Sequence, residues 1–156
     1  MATAAKPPMT LYITYSQRDE ALKQEFEDYL VNLQQAQYIA GWIERQVQPG
    51  ADWSQEIDPR LDTVQVFIVL LSPSLLASGY CSGAEFRAVF EKHTKGEARV
   101  IPILLRSVDL TGHSLDMLQR LPGEGRSVVS WPERSEAWWD IYRAMRRVAR
   151  EYQSDF

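Results

Sequence analysis

A chain of 156 residues that is 45% hydrophobic has the size and apolar content of one domain with its own core, and no stretch approaches the roughly 18 apolar residues that a membrane span needs. A net charge of −4 and a pI near 5.2 give no electrostatic footprint for nucleic acid. The first residues hold no apolar secretory core and the single Cys81 cannot form an internal disulfide, so the expectation is a soluble protein of the reducing cytoplasm.

In chain order, residues 1–9 read as a flexible segment, residues 10–153 as one domain and residues 154–156 as a tail. The run 11–15 predicts a first strand, and Ser16 and Asp19 after it are turn and N-cap residues. Leu22, Phe26, Tyr29, Leu30 and Leu33 follow at i, i+4, i+7, i+8 and i+11, the stripe of an amphipathic helix, with Lys23, Glu27 and Asp28 turned away from it. Residues 38–43 predict a second strand and residues 44–52 a loop with a Pro49-Gly50 turn. A short helix over 53–61 would use Asp52 as its N-cap and Ile57 and Leu61 as core contacts, against the resistance of Pro59.

The stretch 64–71 is apolar except for Gln65 and is closed by Ser72-Pro73. A near-continuous apolar run of this length, rich in β-branched residues, is a strand buried on both faces, as a parallel sheet covered by helices on both sides requires. Residues 72–80 read as a loop or turn, and 81–92 as a helix from Phe86, Val89 and Phe90. Residues 100–105 predict the next strand, where Pro102 argues for a bulge or a place near one edge. Residues 106–126 are mostly irregular, 127–129 predict a short last strand, and Trp138, Ile141, Tyr142, Met145, Val148, Ala149 and Tyr152 mark a closing amphipathic helix whose Arg143, Arg146, Arg147 and Arg150 form a solvated face.

Alternating strands and helices imply a flavodoxin-like, doubly wound α/β domain of five parallel strands in the order 2-1-3-4-5, with helices on both faces. Ligands of such sheets bind beyond the carboxyl ends of the strands at the switch point, here between the first and third strands. A phospho-acceptor receiver would need Asp at the end of the third strand, where this chain has Leu71 and Ser72. A flavin or dinucleotide fold would need a glycine-rich phosphate loop after the first strand, and residues 14–18 hold no glycine. Residues 79–83 have the spacing G-x-x-S-G rather than that of a nucleophile elbow, and one Cys with two distant His assembles no zinc site. What remains is Glu85, on a helical stripe with Cys81, Ala84 and Ala88; spacing alone favours reading it as one more solvated surface glutamate.

The chain resembles a Toll/interleukin receptor (TIR) domain of the bacterial type. Residues 11–16 followed by Asp19 resemble the family's first box; Trp42 to Arg45 with Pro49-Gly50, continued by Trp53 and Ile57, resemble the second. Residues 72–78 and Tyr80-Cys81 followed by Glu85 resemble the segment that carries the family's key glutamate, and Ser130 to Pro132 with Trp138 resemble the third box. The resemblance spans roughly residues 11–152. It implies NAD+ as substrate rather than cofactor: active members cleave the nicotinamide-ribose bond, releasing nicotinamide with linear or cyclic ADP-ribose, in bacterial immune signalling or NAD+ depletion. Glu85 would be catalytic, and Tyr15, Ser16, Arg45, Trp53, Tyr80 and Cys81 would line the substrate site with no metal. Tyr15 and Trp53 would stack on a base and Arg45 would meet the pyrophosphate. Active members often place Trp four residues before the glutamate, where this chain has Cys81, and an acid after the second-box Arg, where it has Gln46; Tyr80 would supply the aromatic surface. The resemblance further implies self-association through the loop from Arg45 to Asp52, activity that rises on assembly, and a sensor domain, fused or separate. Two other readings stay open: a non-enzymatic TIR-TIR scaffold, and a related N-glycosidase such as a nucleoside deoxyribosyltransferase.

Overall fold

The computed structural model describes residues 7–154. The flexible segment expected at 1–9 and the tail at 154–156 fall largely outside that range. Met9 already opens the first strand, fully buried, and Ser154 ends the last helix.

Four strands form one parallel sheet in the order β2-β1-β3-β4: β1 (Met9–Ser16), β2 (Ile39–Val47), β3 (Val66–Leu71) and β4 (Arg99–Leu104). The helices are α1 (Glu20–Gln35), α2 (Pro73–Ala77), α3 (Ala84–Thr94) and α4 (Arg134–Ser154). Leu11, Ile13, Tyr15, Ile68 and Leu70 point to one face, where α1 and α4 cover them; Tyr12, Phe67, Val69 and Leu71 point to the other, under α2, α3 and the segment after β2. All six residues of β3 are buried, the both-faces burial that its uninterrupted apolar sequence demands.

The fifth strand is absent among the described residues, and this corrects the expected order. Residues 128–130 form a 3-10 turn instead. β4 is therefore the edge strand, as Pro102 suggested, and on its outer side Leu121 makes an isolated bridge, donating its N–H to Pro102 O at 2.9 Å and accepting from Leu104 N–H at 2.7 Å. The next N–H that would extend this pairing, on Gly123, is taken by Asp140 Oδ2 at 2.8 Å.

Three further expectations change. No helix covers 53–61: Asp52 caps only Ser54 N–H, Ile57 is exposed, and a 3-10 turn (Pro59–Thr63) starts one residue after its N-cap Asp58. Pro59 thus begins a turn, where its fixed φ and missing N–H cost nothing, rather than interrupting a helix. β2 runs on to Val47, which places Arg45 on the strand opposite Thr14 rather than in a loop. Lys23, expected to face away, is buried among Glu20, Glu27 and Glu44 and sits 5.2 Å from the Tyr15 ring centroid.

Residues 72–80 contain α2, capped by Ser72, whose Oγ accepts from Leu75 N–H and donates to the buried Asp19. Asp19, expected as the N-cap of α1, makes no such side-chain bond. It ties the carboxyl end of β1 to that of β3 and pairs with Arg106 at 3.4 Å.

Candidate functional site: a buried glutamate beneath the segment after strand 2

The helix α3 begins two residues after a 3-10 turn (Tyr80–Ser82), so Cys81 and Glu85 do not share a helix. Gly83 is the N-cap of α3, and its φ of −90° is open to any residue. Its role is space: a Cβ there would lie 2.3 Å from Trp53 O. That carbonyl accepts from Ala84 N–H at 2.9 Å, which lays the segment 48–58 across the start of α3.

Glu85, expected at a partly exposed position, is fully buried. It lies in the first turn of α3, where the helix N-terminus favours negative charge. Its Oε1 accepts from Asp58 N–H at 2.8 Å and meets Arg45 Nη2 at 3.1 Å. Its Oε2 accepts from Arg45 Nε at 3.3 Å, from Tyr12 Oη at 3.1 Å and from Tyr80 Oη. Tyr80 Oη in turn accepts from Thr14 Oγ1 at 3.2 Å. Tyr12 also lies 3.4 Å from Asp58 Oδ2, but its single proton goes to the nearer Glu85.

Burial, with the Glu85 charge adding to it, pushes both phenols well above their ordinary range, so they stay donors. Burial is the largest influence on Arg45 and lowers its pKa, but the charge of Glu85, its hydrogen bond, and the neighbouring Tyr12 and Glu56 together outweigh it, and the guanidinium is held more firmly protonated. Asp58 falls to about 2, chiefly because Arg60 hydrogen-bonds its carboxylate, with Nη2 to Oδ2 at 2.7 Å.

The expected site residues divide. Arg45, Trp53, Tyr80 and Glu85 come together: the Arg45 guanidinium stands 4.8 Å from the Trp53 ring centroid, and Trp53 meets Tyr80 edge to face at 5.0 Å. Cys81 packs in the core beside them with its thiol pushed up to about 12 by burial, an inert group rather than a contact surface. Tyr15 is not brought to Glu85. It faces the α1/α4 layer, with its pKa raised to about 12, first by burial and then by its bond to Glu20. Ser16 caps Arg18 N–H at 3.2 Å and lines, with Arg18, Pro49, Gly50, Ser74, Ala77 and Ser78, a cleft of about 210 Å³ at the carboxyl ends of β1 and β3. Glu85 does not line that cleft. Two larger hollows around His93, Arg99 and Glu151 sit by the amino ends of β3 and β4.

Tyr12, Thr14 and Asp58 were missed by sequence reasoning. The strand period of two carries the signal for the first pair, since Tyr12, Thr14 and Ser16 share a face and Tyr15 cannot join them. For Asp58 the signal is its place directly before Pro59, the N-cap and N1 pair of a helical turn.

A family model described as TIR domain matches residues 11–134. An uncharacterized protein of Sinorhizobium fredii, y4lF, is 32% identical over 140 residues, which are 90% of this chain and 43% of that protein. The chain thus spans less than half the length of this curated relative, and no solved structure matches. With the match covering both the strand that carries Tyr12 and Arg45's box and the helix that carries Glu85, the chain belongs to the TIR domain family.

Proposed function

We propose that the domain is an NAD+ glycohydrolase with Glu85 as its catalytic carboxylate, and that the arrangement described above is its closed form. Nicotinamide departs from a cationic pyridinium as a neutral base, so the reaction asks for no general acid. It asks for fixed negative charge beside an oxocarbenium-like ribose and an aromatic surface for the ring. The observation that carries the reading is the fully buried carboxylate of Glu85, oriented by two phenols and a backbone N–H, whose ionic partner Arg45 lies over the face of Trp53. Membership of a family that includes NAD+-cleaving enzymes supports it.

Tyr12, Tyr80 and Asp58 N–H are positioning groups: they hold the carboxylate in one orientation from beneath and from the side. Arg45 is the cover, with 17% of its side chain exposed against 1% for Glu85. In this closed form Glu85 is fully buried, so on this reading turnover waits on an opening that assembly would supply. Self-association through the turn at Pro49-Gly50, which begins two residues beyond the end of β2, would bear directly on that cover.

A second reading, a non-enzymatic TIR-TIR interaction module, is favoured by the same burial, since a carboxylate with every acceptor position filled and no exposed surface can serve as a structural pin. Concentrated wild-type and Glu85→Gln proteins incubated with NAD+ separate the two. Free nicotinamide from the wild type and a loss of about 10²–10³ in the variant support the glycohydrolase; no release from assembled wild type supports the module.

A further inference from the structure

We infer that Tyr12 and Asp58 form the route by which the proton set free in NAD+ hydrolysis leaves the buried site, from Glu85 through the Tyr12 hydroxyl to the Asp58 carboxylate and then to water. The inference deepens the glycohydrolase reading and rests on it.

The need is set by the balance of the reaction. The bond from ribose C1′ to the nicotinamide nitrogen breaks with its electron pair going to the ring, and a water oxygen bonds to C1′ in its place. NAD+ and water thus give nicotinamide, ADP-ribose and one proton, which comes from the attacking water. Glu85, the carboxylate beside C1′, takes that proton as a general base and cannot serve again until it has passed the proton on. Its side chain is only 1% exposed, and bound substrate would fill the side that Arg45 covers at rest.

A hydrogen-bonded path leads out on the other side. Tyr12 Oη lies between two carboxylates, 3.1 Å from Glu85 Oε2 and 3.4 Å from Asp58 Oδ2. While Glu85 is ionised it holds the phenol proton. Once Glu85 is protonated, its own O–H is the donor, Tyr12 Oη accepts, and the phenol proton turns to Asp58. Tyr12 gives up one proton as it gains the other, so no phenolate forms, a species that burial of this ring opposes.

Asp58 suits the outer end. Its side chain is 7% exposed and paired with Arg60, which is 57% exposed, at 2.7 Å. The Arg60 hydrogen bonds keep the carboxylate pKa at about 2, so a proton that arrives there moves on to water instead of staying. The second phenol on Glu85 has no such exit: Tyr80 Oη also donates to Oε2, but its other neighbour is the buried hydroxyl of Thr14, which donates to it at 3.2 Å. Tyr80 orients the carboxylate, whereas Tyr12 both orients it and connects it to the surface.

The test separates bond cleavage from proton loss. Concentrated protein receives NAD+ with isotope-labelled nicotinamide. Entry of label into NAD+ breaks and remakes the bond at C1′ with no net proton, while formation of ADP-ribose releases one. Asp58→Asn keeps the backbone N–H on Glu85 and removes the proton acceptor, Tyr12→Phe removes the middle of the path, and Tyr80→Phe is the comparison. Thermal melting reports folding, and Tyr12→Phe carries the test should Asp58→Asn not fold. In Asp58→Asn and Tyr12→Phe, hydrolysis should fall at least about tenfold further than exchange. In Tyr80→Phe the two should fall together, and excess imidazole, a small proton carrier, should restore hydrolysis in Asp58→Asn. Hydrolysis that falls only in step with exchange in both path variants, or does not fall, overturns the inference and leaves the glycohydrolase standing. Where wild type hydrolyses NAD+ without measurable exchange, failure of imidazole to restore Asp58→Asn does the same. Neither exchange nor hydrolysis in assembled wild type sinks the glycohydrolase itself, and the proton path with it.

Discussion

The carbonyl oxygen of Trp53 lies only 2.3 Å from where a Cβ on Gly83 would be, so the segment after β2 and the N-terminus of α3 meet backbone to backbone. Gly83→Ala cannot be accommodated by a rotamer change, because the obstructing atom belongs to the main chain. The segment must lift, and the Trp53 O to Ala84 N–H bond at 2.9 Å is lost with it. Overpacking of this kind costs about 1–3 kcal/mol, and for a domain of this size each kcal/mol lowers Tm by roughly 2–4 °C. Thermal melting followed by tryptophan fluorescence should show a drop of several degrees. An unchanged melt would mean that the segment adjusts without strain.

Asp58 is held ionised down to about pH 2 by Arg60. Its folded pKa lies below its unfolded value, so its contribution to stability is complete above about pH 4 and is lost as pH falls toward 2. Asp58→Asn should therefore be less stable than wild type at neutral pH, and the gap in Tm between the two should close as pH is lowered from 4 to 2. A gap that stays constant across that window would show that the Asp58 charge contributes nothing to stability.

The parts of the fold legible in the sequence are those set by apolar patterning. The uninterrupted run ending at Leu71 is β3, and the stripe from Leu22 to Leu33 is the buried face of α1. The missing fifth strand was not legible, because residues 127–129 look strand-like alone, whereas in the fold 128–130 close a 3-10 turn whose Val129 N–H reaches Leu105 O just beyond the end of β4. At the site, the local sequence located Glu85 on the right helix but gave it an exposed place. What buries it is residues 53–58 arriving from another part of the chain, and no helical periodicity reports on that.

Burial changes what Glu85→Gln should do. A partly exposed glutamate would tolerate the change within about ±0.5 kcal/mol. Here the amide leaves the Arg45 guanidinium without its main partner and presents an NH2 where Oε1 or Oε2 now accepts. The expected loss is about 1–3 kcal/mol, the cost of unsatisfied buried groups, moderated by Glu56 taking over Arg45. Chemical denaturation should show a lowered midpoint with an unchanged slope. A midpoint equal to that of wild type would mean the network adapts, and the activity assay must be run well below the melting temperature in either case.

Pro49 and Gly50 are exposed at the tip of the segment that covers Glu85, and Gly50 holds a φ of +82° with open space around it. If contacts between copies at this tip open the cover, the rate of NAD+ loss per molecule must rise with protein concentration, because a bimolecular encounter precedes each opened site. Across a hundredfold dilution series the specific rate should fall steeply at the dilute end. Pro49→Asp places a charge at the exposed tip, where surface substitutions change stability by about ±0.5 kcal/mol, so Tm should hold while the concentration dependence is lost and the rate stays at its dilute value. A specific rate that is flat in the wild type, or a Pro49→Asp protein that still gains activity on concentration, would place the trigger for opening elsewhere on the domain.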